Sequence, residues 1–410
     1  MRHIPILILG ALGSAAVSGA ERHDLAAVAR SILGADQGVY VEAADGTALL
    51  AQSADKPVHP ASVSKVPTTL ALLRKFGPEH RFVTTFAANG PVHDGTLEGD
   101  LLVESDGDPY FVDENALLVV ERLNQLGVRR VAGNLRPRGV LTFDWEVDAD
   151  GARLRQAMSG MAPPSAWAAV RELNAGDAQA PASSSPTPPA IQFAHAAGVA
   201  KPDSAEPLAD RVLIVHRSQT LLSLAKSLND YSNNIFKPLA DAAGGAAAVE
   251  DLARSSVPAA MRSEITLGDG AGTDARNRLS PRAAVKLLRA LEQELAGTGH
   301  TLSDVLPVAG IDEGTLRDRL NAPEEAGRIV GKTGTFGDYG ASALIGAIAT
   351  SDRGTVYFAI LDHGVPVSDA RRRQDRFLRV LLTRLHSRSW NYQPDASPAI
   401  ARAELMSVPR

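Results

Sequence analysis

The sequence predicts an α/β domain split by an inserted module. A β-hairpin pattern near the N-terminus, a helix pattern after it, and a return of strand and helix patterns only towards the C-terminus point to that class. The hairpin covers residues 38–50, with Asp45-Gly46 as its turn between two β-rich runs. After Pro60, Val66, Leu70, Leu72, Leu73 and Phe76 recur near helical spacing, and Gly77-Pro78 ends the run. Residues 91–175 alternate turn signals, such as Asp94-Gly95 and Asp106-Gly107, with short apolar runs and a helical segment at 115–126. Residues 176–206 are rich in Ala, Pro and Ser and read as a linker. A helical stretch runs over 218–229. Residues 342–349 and 355–361 read as paired strands about Asp352-Arg353-Gly354. A terminal helix is expected over about 370–385, with Arg371-Arg372-Arg373 on a solvated face. The expected division is a split main domain (21–90 and 206–390), an inserted domain (91–175), a linker (176–205) and a tail (391–410).

Composition narrows the chemistry. The 410 residues carry 42 Lys plus Arg and 47 Asp plus Glu, a net charge of −5, which argues against a nucleic-acid partner. Cysteine is absent, which removes disulfides, thiolate zinc sites, iron–sulfur clusters and cysteine nucleophiles. Met1-Arg2-His3, the apolar run after it and Ser18-Gly19-Ala20 have the three parts of a signal peptide over residues 1–20, so an exported, periplasmic protein is expected. No later segment offers about 20 consecutive apolar residues.

Three short motifs remain. Ser-x-x-Lys places a hydroxyl and an amine on one helix face, where a neutral amine can take the hydroxyl proton. It occurs three times. Lys56 of Ser53…Lys56 precedes Pro57, which disfavours a helical backbone, and Ser223…Lys226 lies within a helical run. Ser62…Lys65 follows Pro60-Ala61 at a helix start, where free N–H groups can support an oxyanion. Pro67 requires the helix to start near Ser64 or to have a distorted first turn. Alone, this pair fits a cap and a surface lysine equally well. The second motif, Ser232-x-Asn234, has a competitor in Ser227-Leu228-Asn229 and reads alone as a helix stop. The third, Gly331-Lys332-Thr333-Gly334-Thr335, leads into a strand and lacks the first glycine of a phosphate-binding loop, since Ala326 stands there. One ammonium beside two hydroxyls instead suits a carboxylate. There is no His-Glu-x-x-His zinc helix, and of ten histidines only His59 lies close in sequence to Ser62.

In this order the trio resembles the penicillin-recognising serine enzymes. More narrowly, the chain resembles their D-alanyl-D-alanine carboxypeptidase/endopeptidase family, the class C low-molecular-mass penicillin-binding proteins. His59-Pro60-Ala61-Ser62, Gly107-Asp108-Pro109, Asp269-Gly270-Ala271-Gly272, Gly314-Thr315-Leu316-Arg317 and His363-Gly364-Val365-Pro366 also look like that family. Ala271 departs from it, standing where serine is usual. Tyr231-x-Asn233 imitates the class C β-lactamases, one register off.

The resemblance implies a penicillin-binding transpeptidase-like α/β (α+β) fold, an antiparallel sheet flanked by helices, with a smaller inserted domain. It implies Ser62 as nucleophile, Lys65 as base and Ser232 as proton relay. Asn234 would hold the substrate amide, Lys332, Thr333, Gly334 and Thr335 the terminal carboxylate, and the N–H groups of Ser62 and Thr335 the oxyanion. The implied substrate is a peptidoglycan stem peptide ending in D-Ala-D-Ala, with β-lactams as acylating inhibitors and no metal or organic cofactor. A β-lactamase, or a silent wall-binding homologue, are the alternatives; the first would turn over a β-lactam steadily, and the intact trio speaks against the second.

Overall fold

The computed structural model describes residues 19–176, 186–194, 211–231, 235–338 and 340–408. Its main sheet has five antiparallel strands in the spatial order Ile329–Phe336, Ala341–Ala349, Thr355–His363, Gly38–Glu42, Ala48–Gln52. The hairpin read from residues 38–50 forms the last two, and the C-terminal pair forms the second and third. Three strands are apolar almost throughout because both faces are covered. On one face Leu25, Leu33, Phe377 and Leu381 of helices Gly19–Leu33 and Val367–Arg384 pack on Val39, Leu344 and Phe358. On the other, Leu287 and Leu291 of helix Pro281–Ala296 share a core with Ile345, Ala359 and Leu70 of helix Lys65–Phe76. Alternation along each strand assigns successive side chains to these two cores.

The insert has its own sheet, ordered Glu404–Ser407, Arg211–Arg217, Val83–Asn89, Asp100–Asp106, Leu135–Val140. Phe86, Leu101 and Val103 from this sheet meet Leu117 and Val120 of helix Asp113–Gln125 in a second core. Two sequence-derived boundaries move as a result. Val83–Asn89 pairs directly with Arg211–Arg217, so the chain enters and leaves this unit through adjacent strands, and its limits lie outside 91–175. The expected tail contributes Glu404–Ser407 to the same sheet, antiparallel to Arg211–Arg217. Of the expected linker, Gln192–Phe193 pairs in parallel with Arg130–Val131, and most of the remainder lies outside the described residues. The signal-peptide reading falls almost wholly on residues 1–18, also outside them. Among the described residues no helix is long and apolar enough to cross a membrane.

Candidate active site

The site forms where a helix start is wedged between two glycine-bearing segments. Ala61–Ser64 is one 3₁₀ turn, and the α-helix begins at Lys65, which puts Pro67 within its first turn and removes the conflict seen in the sequence. Ala61 has φ of +48°, a left-handed conformation that costs an L-residue on the order of 1 kcal/mol. His59 holds it there: its Nδ1 accepts the Ala61 N–H at 3.1 Å, and its Nε2 contacts the Asp274 carbonyl at 3.0 Å. That pairing fixes the ring tautomer, and its face stacks on Phe336 at 3.9 Å. His59 is therefore a clamp on the turn, not a base at Ser62.

Two glycines back onto the same turn. A Cβ at Gly272 would overlap the Ala61 carbonyl and stand 2.9 Å from the Ser62 nitrogen. A Cβ at Gly334 would stand 2.6 Å from the Pro60 oxygen and 2.9 Å from the Ser62 nitrogen. Only glycine permits both approaches. Gly334 thereby carries the backbone leading to Thr335 alongside the Ser62 N–H.

Lys65 is 1% exposed, and its Nζ lies 2.9 Å from Ser62 Oγ and donates to the Ala271 carbonyl at 2.6 Å. Burial, reinforced by the Lys332 charge, pushes its pKa down to about 7. The neutral amine is then well populated near neutral pH, and its lone pair can accept the Ser62 proton. Asp269 shapes the loop that supplies Ala271, accepting N–H groups from Gly272 at 2.8 Å and Thr273 at 3.0 Å. The Lys65 contact is with the backbone oxygen of residue 271 and does not depend on the side chain there.

The other two Ser-x-x-Lys matches do not assemble. Ser223 Oγ turns to Gln219, while Lys226 Nζ reaches the Leu306 carbonyl at 2.7 Å and the Asp312 carboxylate. Ser53 sits in a left-handed turn, and Lys56 lies 3.4 Å from His363 Nε2. Asn229, the competing end of the second motif, is fully buried and bonds Thr69 Oγ1 at 3.2 Å and the Val305 carbonyl at 3.1 Å. It ties helix Leu221–Asp230 to helix Lys65–Phe76. Ser232 and Asn234 themselves lie outside the described residues.

Strand Ile329–Phe336, at the edge of the main sheet, carries the third motif. Ile329 belongs to the core beneath the terminal helix and Val330 to the opposite core. Alternation then places Thr333 and Thr335 on the terminal-helix face and Lys332 with Gly334 on the Ser62 face. Lys332 is fully buried, its Nζ has no hydrogen-bond partner among the described residues, and burial lowers its pKa to about 8 against the pull of Asp230. Thr333 Oγ1 donates to Thr315 Oγ1 at 2.7 Å, and Thr335 Oγ1 accepts from Arg371 Nη2 at 2.8 Å. The sequence reading missed Arg371 and Asp230. Burial raises the Asp230 carboxyl to about 7, with Lys226 and Lys332 opposing, and one of its oxygens has no hydrogen-bond partner among the described residues. Asp230 also lines a cavity of about 690 Å³ with Tyr110, Trp145, Tyr231 and Tyr392.

The fold has well-matched solved relatives. The Bd0816 predatory endopeptidase from Bdellovibrio bacteriovorus, in complex with immunity protein Bd3460, aligns with a TM-score of 0.75 at 23% identity over 90% of this chain and 99% of its own. The penicillin G-acylated Bd3459 endopeptidase of the same organism gives 0.76 at 21% over the same shares. Penicillin binding protein 4 from Haemophilus influenzae, complexed with a β-lactam, gives 0.60 at 18%, covering 90% and 99%. These likenesses establish the fold. A sequence model of the D-Ala-D-Ala carboxypeptidase 3 (S13) family matches residues 22–184 and 191–384, and the chain therefore belongs to that family of serine peptidases.

Proposed function

We propose that this protein hydrolyses D-Ala-D-Ala stem peptides of peptidoglycan, and D-alanyl cross-links of the same chemistry, through an acyl-enzyme at Ser62. The single observation that carries the assignment is the buried Lys65 Nζ at 2.9 Å from Ser62 Oγ. Ser62 Oγ attacks the carbonyl carbon between the two D-alanines while its proton passes to neutral Lys65. The Ser62 and Thr335 N–H groups receive the oxyanion. The C–N bond breaks as a proton reaches the leaving amine, with Ser232 as the relay and Asn234 holding the peptide amide. Water, deprotonated by Lys65, then releases the acyl group and restores the serine. The family assignment and the penicillin G-acylated relative support a β-lactam entering by the same acylation step. The working compartment is the periplasm, with residues 1–20 as the signal peptide.

In this reading Lys332 keeps Lys65 neutral; Thr333, Gly334 and Thr335 form the wall at which the substrate carboxylate lies. D-alanine release from a peptide ending in D-Ala-D-Ala should rise with pH through about 7 and level off above it, as Lys65 loses its proton. Lys332→Met removes the like charge, so the rising limb should move to higher pH. No D-alanine release refutes the function; an unmoved limb refutes the role given to Lys332.

A further inference from the structure

We infer that Arg371, near the start of the terminal helix, is the cation that binds the substrate's free carboxylate, acting beside Thr335. This rests on the function proposed above and names the group that reads one end of its substrate.

Three observations converge on it. First, the helix is keyed to the edge of the main sheet. Thr335 is in register with Ser342, and Ser342 with Asp362, so the three form a row across adjacent strands. Gln374, fully buried, donates to the Asp362 carboxylate at 2.7 Å and to Ser342 Oγ at 3.2 Å. Arg371 lies three residues earlier on the same helix face, where it meets the last member of the row, Thr335, at 2.8 Å.

Second, Arg371 lacks an acid. Among the described residues no carboxylate pairs with it, although its neighbours are matched. Arg372 is paired with Asp369. The nearby Asp375 is engaged by Arg319 at 2.6 Å, in a pair only 11% and 18% exposed. Arg319 also donates to Gln374 Oε1 at 3.0 Å, which completes its anchoring. Arg371 itself is exposed, with one N–H on a hydroxyl and further guanidinium donors open to solvent.

Third, the alternative cation is on the other side. Lys332 is fully buried on the face of Gly334, whereas Thr335 points to the terminal helix. An exposed guanidinium beside a threonine hydroxyl, one residue beyond the glycine that flanks Ser62, suits a carboxylate through charge and directed donors. The C-terminal carboxylate of D-Ala-D-Ala and the α-carboxylate on the leaving residue of a cross-link share this chemistry.

The test compares a linear peptide ending in D-Ala-D-Ala, its C-terminal amide and a cross-linked dimer, using full-length wild type, Arg371→Ala, Arg371→Lys and Arg372→Ala. Wild type should prefer the acid. Arg371→Ala should lose on the order of 20-fold in kcat/KM on the acid, the scale of one hydrogen bond to a charged group, mainly through KM. On the amide it should lose less than about threefold, and Arg371→Lys should recover part of the loss, since charge survives without the fork. Arg372→Ala should match wild type on every substrate. A loss on the linear acid alone assigns its C-terminal carboxylate to Arg371; a similar loss on the dimer assigns the leaving residue's carboxylate as well. A variant that keeps the wild-type preference for acid over amide, or loses equally on both, overturns the assignment of Arg371 while leaving the proposed function standing. A wild type that releases no D-alanine overturns both.

Discussion

Lys65→Arg should reduce acylation by a β-lactam by at least about 10³-fold, within the range of a lost general base. Arginine keeps the charge and cannot deprotonate, so it cannot take the Ser62 proton. The side chain is 1% exposed, and a longer group could disturb the Ala271 loop. Lys65→Met provides the second arm, because it removes the charge at similar volume. Methionine relieves the burial of charge but leaves the Ala271 carbonyl without this donor, so the melting temperature should change only modestly. Both variants should remain folded by circular dichroism and fail to acylate. Near-wild-type acylation in either would move the base elsewhere.

The second large effect comes from a residue with no functional group. Gly272→Ala adds a Cβ that would collide with the Ala61 carbonyl and press on the Ser62 nitrogen, at a φ of +86° that alanine rarely adopts. The turn carrying Ser62 must shift. A displacement of about 1 Å at a reacting group costs on the order of 10²-fold in rate, so acylation should fall by at least that much. Strain and overpacking together should also destabilise the protein by on the order of 2 kcal/mol, measured by thermal or urea unfolding. Wild-type acylation with wild-type stability would refute the close approach of the two segments.

The contrast between these two residues shows what could be read before folding. Lys65 was legible because Ser62 is three positions away on a helix start, a relation local sequence fixes. The hairpin at 38–50 and the strands about Asp352-Arg353-Gly354 were legible for the same reason, through turn residues and β-rich runs. Gly272 was visible only as part of a resemblance, since its contact with Ala61 joins segments far apart in the chain. The left-handed turn at Ala61 left no signature, because its stabiliser His59 differs in no obvious way from nine other histidines. Glu404–Ser407 passed for a tail because a short strand paired only at long range lacks a local turn signal.

Arg371 was passed over for a different reason. Arg371 sat in a run of three arginines that a solvated face explains, and only the register of Thr335, Ser342 and Asp362 distinguishes it from its neighbours.

The central claim is that Ser62 is the nucleophile of an acylating serine peptidase. Intact-mass spectrometry after incubation with penicillin tests it most directly, on wild type and Ser62→Ala side by side. Wild type should gain the mass of one penicillin molecule, and Ser62→Ala should gain none while remaining folded. An adduct that persists in Ser62→Ala, or no adduct on folded wild type, would contradict the account.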